Sequence, residues 1–387
     1  MRIVDVCAFY TPHGGGVKTY VDRKFAAAAA AGHEMIVIAP GERDGVEIRG
    51  PGARLVTLAS PQLLLDRRYR YFADEIALHR TLDAWRPDLV EASSPWSSAS
   101  MVARWNASVP RSLVMHADPL SAYAYRWFGG VADIATIDRG FDRFWQHLRR
   151  LDRAFDCVVS ASPNLTARLA AGGLRGATTV AMGVEPGIFS PAHRDPALRA
   201  RLLALCGLGP EATLLLGAGR YSSEKRWTMV IDAALSAGAR TPTGLLLVGD
   251  GRIRRALVAR AGGSPHIVVG APIRDRGALA TTMASCDALV HGCEAETFCM
   301  VAAEARASGL PVIAPDRGGA ADHAGAAPGR RYRAADPIAL RDAILAVAAE
   351  RRDPVPRALP RIRTMDEHFE QLFGLYAGFA VPRRKAA

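Results

Sequence analysis

Lysine is nearly missing from this chain. Of its 49 basic residues only four are lysine (Lys18, Lys24, Lys225 and Lys385) and the rest are arginine, set against 38 acidic residues for a formal charge of +11 over 387 residues. A bias this global reflects composition, so the informative question is which few basic side chains stand where a phosphate needs them. Other absences exclude whole classes. No stretch approaches the roughly 18 apolar residues of a membrane helix, and the alanine tract 26–31 is too short and weakly apolar. The start Arg2-Ile-Val-Asp-Val-Cys7 has no signal-peptide layout, so a cytoplasmic protein is expected. The six cysteines (Cys7, Cys157, Cys206, Cys286, Cys293, Cys299) form no Cys-x-x-Cys pair and have no histidine at zinc spacing, so they read as reduced core thiols. Internal repeats, a P-loop and a Gly-x-Gly-x-x-Gly fingerprint are all missing. The arginines are scattered without a recognition motif, so no nucleic-acid partner is expected.

What is present is a 49% hydrophobic chain, long enough for about two to three domains at roughly 150 residues each. Short β-branched runs alternate with longer helical patterns, as in parallel βαβ units. Strands are expected at 2–9, 35–39, 89–91, 111–115 and 157–160, with helices at 17–31, 137–152 and 163–171. The alternation pauses at Met182-Gly-Val-Glu-Pro-Gly-Ile-Phe-Ser-Pro191, a linker punctuated by proline and glycine. It restarts with strands at 213–218, 244–248, 267–269, 288–291 and 311–314, and helices at 225–237, 252–261 and 301–308. The expected architecture is α/β, with two doubly wound domains facing each other. They are residues 1–183, with a terminal segment 365–387 packing back, and residues 192–364. Ligands of such sheets bind beyond the carboxyl ends of the strands, so the cleft between the domains is the expected site.

Three segments could carry chemistry. Tyr10-Thr-Pro-His-Gly-Gly-Gly-Val-Lys-Thr-Tyr20 sets a triple glycine between a strand and a helix, where backbone can approach a ligand closely. Alone, such a turn serves structure as readily as chemistry. In Gly219-Arg-Tyr-Ser-Ser-Glu-Lys-Arg-Trp227, Arg220 and Lys225 flank a turn at a helix start. They are either two solvated charges or ligands of a phosphate. Cations are disfavoured at a helix N-terminus, and that misfit favours a bound anion. The strongest segment is Glu294-Ala-Glu-Thr-Phe-Cys-Met-Val-Ala-Ala-Glu304, followed by Ser308-Gly-Leu-Pro-Val312 and Gly318-Gly319. Glu296 and Glu304 suit hydroxyl groups of a sugar or ribose, and the amides of Phe298, Cys299, Met300 and Val301 suit a phosphate. Read blandly, they are one acid at a helix start and one ordinary surface glutamate.

With these segments the chain resembles the retaining glycosyltransferases of family 4, which have the GT-B fold of two facing Rossmann-like domains. The resemblance covers nearly the whole chain and is densest in the second domain. The family's Glu-x7-Glu element matches Glu296 and Glu304, which implies that Glu296 contacts donor-sugar hydroxyls and Glu304 the nucleotide ribose. Its basic pair on the diphosphate matches Arg220 and Lys225, and its glycine-rich loop matches Gly14, Gly15 and Gly16. His116, in Val114-Met-His-Ala-Asp-Pro119, matches a histidine beside the transferred sugar, although a lone histidine at a strand end is otherwise more often structural. Asp118 and Glu91 are acceptor-side candidates. Two positions depart from the pattern: Cys299 stands where glycine is usual, and Asp322 ends a motif that usually ends in glutamate.

The resemblance implies transfer of a hexose from a UDP- or GDP-linked donor to a glycan, glycolipid or lipid-linked acceptor. It implies no cofactor and no metal, in keeping with the missing Asp-x-Asp and metal-spaced histidines. The departing diphosphate would take the acceptor proton, with no protein nucleophile. A nucleotide-sugar epimerase and a catalytically silent nucleotide-sugar-binding protein are the alternatives. Segments 63–72, 122–128 and 139–153 mix arginine with aromatic residues. Either they are helices packing inward, or they form a face resting on an anionic membrane that admits a lipid acceptor.

Overall fold

Fourteen strands among the described residues build two separate sheets. The computed structural model describes the chain except residues 13–15, 64–68, 117, 119, 121–123, 129–131, 133, 326–328, 353–360 and 381–387. The first sheet holds β1 (Arg2–Val6), β2 (Glu34–Gly41), β3 (Gly45–Gly50), β4 (Ala53–Ala59), β5 (Leu89–Ala92), β6 (Arg111–Met115), β7 (Cys157–Ser160) and β8 (Ala177–Thr179). Its order is β3-β4-β2-β1-β5-β6-β7-β8, parallel throughout except for the β3–β4 pair. The second holds β9 (Thr213–Ala218), β10 (Thr243–Val248), β11 (Ile267–Gly270), β12 (Ala288–Val290), β13 (Val312–Pro315) and β14 (Arg330–Tyr332). All of its pairs are parallel, in the order β11-β10-β9-β12-β13-β14.

Parallel strands covered on both faces need continuous apolar sequence. The runs Leu-Leu-Leu of β9 and β10 are buried accordingly, Leu215, Leu245 and Leu247 in the cluster of Trp227, Val230, Ile231 and Ala234 from helix Trp227–Gly238, and Leu214, Leu216 and Leu246 in the cluster on the opposite face. In both sheets the strand order reverses at the centre, between β1 and β5 and between β9 and β12. Such reversals open a crevice at the carboxyl ends of the two central strands.

The chain divides into two units, one made of residues 1–117, 131–181 and 365–387, the other of 118–130 and 182–364. Residues 118–130 therefore group with the second unit, not with the block 1–183 that the sequence outlines. Helix Met365–Ala380 joins the first unit, where Phe369 and Phe373 stack and Tyr376 is fully buried.

Three local differences from the sequence reading have physical causes. The antiparallel β3–β4 pair closes one sheet edge with Val46 and Ile48 exposed, so burial leaves no pattern there. The helix expected at 137–152 is two, Ile134–Gly140 and Asp142–Ala154, broken at Phe141. The helix expected from residue 225 starts at Trp227, because Arg226 adopts a left-handed φ of 50° after a 3₁₀ turn, Ser223–Lys225. Helix Asp142–Ala154 buries Trp145, Leu148 and Leu151, so its apolar stripe packs inward and Arg143, Arg150 and Arg153 face solvent. No helix among the described residues is long and apolar enough to cross a membrane.

Candidate active site

In the second unit, two of the residues singled out by sequence, Lys225 and Glu296, meet at the β9/β12 crevice. The loop after β9 carries Arg220, exposed, and Lys225; the loop after β12 carries His291, Glu294 and Glu296. Gly292 lets these two loops close on each other, and Gly319, after β13, closes on the second of them. A Cβ on Gly292 would lie 2.5 Å from the Lys225 carbonyl oxygen. One on Gly319 would lie 2.5 Å from the Phe298 nitrogen, and the Gly319 N–H donates to the Glu296 carbonyl at 2.6 Å.

Lys225 forms a short ion pair with Glu296, and alongside it Arg226 pairs with Glu294. The His291 Nε2 lies 3.4 Å from Glu296 Oε1. Burial opposes ionisation at Glu296, but the His291 contact and the Lys225 ammonium outweigh it and hold the carboxyl well below its ordinary range. Lys225 is likewise pulled upward by Glu296 against its burial, whereas burial pushes the His291 imidazole down. The site thus holds a charged lysine, a carboxylate and a neutral imidazole. His291, Glu296 and Cys299 bring one ligand atom each within 4.8 Å of one another. The ammonium already seated on that carboxylate would face any cation bound there at close range.

The Glu296 loop runs into helix Met300–Ala307. First-turn amides of a helix have no intrahelical partner, which leaves Met300 and Val301 suited to an anion. Cys299 takes a left-handed φ of 69° and buries its side chain in the core cluster, turned inward. That conformation is the one glycine adopts at least cost. Phe298 is held by His323, whose Nε2 meets the Phe298 carbonyl at 2.9 Å and whose ring packs edge-on against it. Glu304 is 5% exposed, and Arg276 donates to it at 2.7 Å while lying over the Phe189 ring. Burial raises the Glu304 carboxyl despite that guanidinium.

The first unit has its own cluster at β1/β5. Asp5 and Glu91 are register partners, and Lys24, fully buried on helix Gly16–Ala30, binds both, at 3.0 and 2.6 Å. Ser93 Oγ lies 2.6 Å from Asp5 and 3.0 Å from Glu91, and Tyr376 Oη donates to Glu91 at 2.7 Å. Glu91, an acceptor-side candidate from the sequence, is fully buried, with its carboxylate engaged by Lys24 and Tyr376. His116 follows β6 with its ring edge-on to Tyr20 at 4.9 Å, and burial pushes it down to about 4. Asp118, buried, caps the Leu120 N–H at 3.0 Å. Gly16 opens helix Gly16–Ala30 with nothing within 4 Å of its Cβ position, while Gly14 and Gly15 lie outside the described residues.

The sequence reading missed His291, Arg276 and the Lys24 cluster. A signal existed for the last, since Asp5 and Glu91 each interrupt an otherwise apolar strand. His291 is a lone histidine at a strand end, and nothing in the spacing marks it.

A family model of the glycosyl transferase 4-like domain matches residues 15–185, and one of glycosyl transferases group 1 matches residues 212–350. The chain is 30% identical, over 81% of its length and 79% of the relative's, to a GDP-mannose-dependent alpha-(1-6)-phosphatidylinositol dimannoside mannosyltransferase of Mycobacterium tuberculosis. This chain belongs to the group 1 glycosyltransferases. It is a nucleotide-sugar-dependent hexosyltransferase. A GDP-mannose-dependent alpha-mannosyltransferase of Mycolicibacterium smegmatis is 30% identical over 83% of this chain and 81% of its own. The GT-B fold is shared with sucrose-phosphate synthase of Thermosynechococcus elongatus (TM-score 0.69, 20% identity, 99% and 97% covered). An Anabaena protein, Alr3699/HepE in complex with UDP, shares it too (TM-score 0.65, 16% identity, 100% and 99% covered).

Proposed function

We propose that this hexosyltransferase moves an α-mannosyl group from GDP-mannose to a lipid-linked acceptor, with retention of configuration and without a metal. The observation that carries the reading is the Lys225–Glu296 ion pair at the β9/β12 crevice, a cation for a diphosphate bonded to an anion for sugar hydroxyls. Relatives matched over most of the chain, named as GDP-mannose-dependent, support the donor. One of them is named for a phosphatidylinositol dimannoside, which supports a lipid acceptor.

In this reading Lys225 leaves Glu296 for the donor diphosphate, joined by Arg220 and the amides of residues 298–301. Glu296 accepts hydrogen bonds from the sugar hydroxyls, and Glu304, steadied by Arg276, accepts them from the ribose. Charge develops on the leaving diphosphate, so these cations lower the barrier through preorganised electrostatics. The diphosphate oxygen that loses the glycosidic bond takes the acceptor hydroxyl proton as the new bond forms on the same face. In the first unit, His116 keeps the sugar-side role and glycines 14–16 the acceptor and phosphate role that the family resemblance implies, and Asp118, in the second unit, is an acceptor-side candidate.

Trp127 and Phe128 are exposed on the short helix Tyr125–Phe128, and with the +11 charge they support peripheral contact with an anionic cytoplasmic leaflet. The test is transfer of radiolabel from GDP-mannose to phosphatidylinositol mannosides, with UDP-glucose as the competing donor. Labelled lipid from GDP-mannose is expected. Label accepted only from UDP-glucose would overturn the donor, and release of free mannose with no labelled lipid would overturn the acceptor.

A further inference from the structure

Among the groups at the crevice, His291 has the least settled environment. It follows β12 with 1% of its surface exposed. Its backbone is held on both sides, the N–H donating to the Ile313 carbonyl and the carbonyl accepting from Tyr332 Oη, each at 2.9 Å. Its ring lies perpendicular to Trp227, with centroids 6.4 Å apart. The imidazole is therefore fixed in place. Yet neither ring nitrogen completes a hydrogen bond among the described residues. Only Nε2 approaches a partner, 3.4 Å from Glu296 Oε1, which is long for a finished bond. A buried polar group left in this state calls for an explanation, because its desolvation is uncompensated.

Lys225 supplies one. In the resting site the ammonium occupies the Glu296 carboxylate, on the same oxygen that faces His291. A donor diphosphate competes for that ammonium. When Lys225 turns away, Glu296 would remain a half-buried carboxylate with the His291 Nε2 3.4 Å from its Oε1.

We propose that His291 is a positioning residue for donor-sugar recognition: its Nε2–H takes over the Glu296 carboxylate when Lys225 moves to the diphosphate, keeping it aimed at the sugar hydroxyls. The proposal rests on the assignment of Glu296 to the sugar and Lys225 to the diphosphate. Burial keeps the imidazole neutral, so one ring nitrogen carries a proton to donate and no extra positive charge competes with Lys225. The role differs from packing in a measurable way. GDP lacks the transferred mannose, whose place water can take beside the partly exposed Glu296 when Lys225 leaves, so its affinity depends little on where Glu296 points. GDP-mannose affinity depends on it strongly.

The experiment titrates the unmodified enzyme, H291Q and H291F with GDP and with GDP-mannose by calorimetry, and measures kcat and KM on the same preparations. Expected are GDP affinities within about twofold of one another, with GDP-mannose affinity and kcat/KM about tenfold lower in H291F, a loss worth about 1.4 kcal/mol. H291Q, whose amide N–H can replace the ring donor, recovers most of that loss. In an E296Q background the H291F change adds little further loss, since the two residues act as one unit. Equal losses for GDP and GDP-mannose in H291F would assign His291 a purely structural role and overturn the proposal. So would unchanged GDP-mannose binding, or H291Q behaving like H291F. If H291F does not fold, H291M, of similar bulk and without an N–H, takes its place. Failure of the unmodified enzyme to bind GDP-mannose would instead overturn the donor reading on which the proposal stands.

Discussion

At the scale of single residues, scarcity of lysine turns out to separate two uses of the same side chain. Lys225 lies at a crevice and Lys24 lies inside the fold, both paired with acids. Removing Lys24 leaves Asp5 and Glu91 buried without a counter-charge. Breaking one partner of a buried ion pair typically costs about 3–5 kcal/mol, so Lys24→Ala is expected to lower the urea midpoint sharply or to prevent folding. Lys225→Ala and Arg220→Ala should instead leave the midpoint near its original value and lower kcat/KM at least about tenfold each, by removing charge from the leaving group. Near-normal turnover in both would sink the diphosphate assignment. Asp5 adds a pH signature. Burial, with the Glu91 charge nearby, raises its carboxyl to about 6 against the pull of Lys24. A raised carboxyl pKa means that the native state binds the proton more tightly than the unfolded chain does. Its contribution is therefore present in full below the unfolded value near 3.8 and is lost as pH rises through 6. The stability of the unmodified protein relative to Asp5→Asn should accordingly fall between about pH 4 and pH 6.5 in urea titrations. A difference that stays flat over that range would refute the raised value.

At the scale of elements, legibility followed periodicity. The central parallel strands announced themselves as apolar runs because both of their faces are covered. The glycine- and proline-marked stretch 182–191 announced itself as a break in the alternation. The β3–β4 edge pair carries no such pattern, because exposure relaxes the demand on Val46 and Ile48. The helix after β9 starts two residues late because Arg226 turns left-handed, a conformation that residue type seldom signals. Motif spacing singled out Arg220, Lys225, Glu296 and Glu304, since chemistry restricts those residue types. It could not locate His291 or Arg276, which act through a neighbour and come close to it only once the strands are ordered. Gly292 tests how tightly those loops are set. Ala at that position would force its Cβ against the Lys225 carbonyl, so Gly292→Ala should weaken GDP-mannose binding while the spectrum of the folded protein is retained. Unaltered binding would show that the β9 and β12 loops move independently.

At the scale of the whole molecule, +11 is a property of the surface more than of the site, because three of the site's four cations, Lys225, Arg226 and Arg276, are paired with Glu296, Glu294 and Glu304. Binding to anionic vesicles, if the surface serves the acceptor, should weaken steeply as salt rises toward physiological strength and above. Sedimentation with phosphatidylinositol-rich vesicles at low and high salt measures this, and salt-independent binding would point to insertion of apolar side chains instead. Donor binding should also appear as stability. A nucleotide that binds only the folded state at 100 times its Kd adds about 2.7 kcal/mol, so GDP should raise the thermal midpoint more than UDP does, and the reverse order would contradict the proposed donor.

The path of the chain has a further consequence, in the order of synthesis. The first unit is begun by residue 1 and completed only by helix Met365–Ala380, whose Tyr376 supplies a hydrogen bond to Glu91 and whose His368 meets the Tyr20 hydroxyl at 2.9 Å. A ribosome delivers all of residues 182–364 before that helix exists. The unit that starts first therefore finishes last, and for most of translation its buried charges await the final turn of chain that completes their hydrogen bonds.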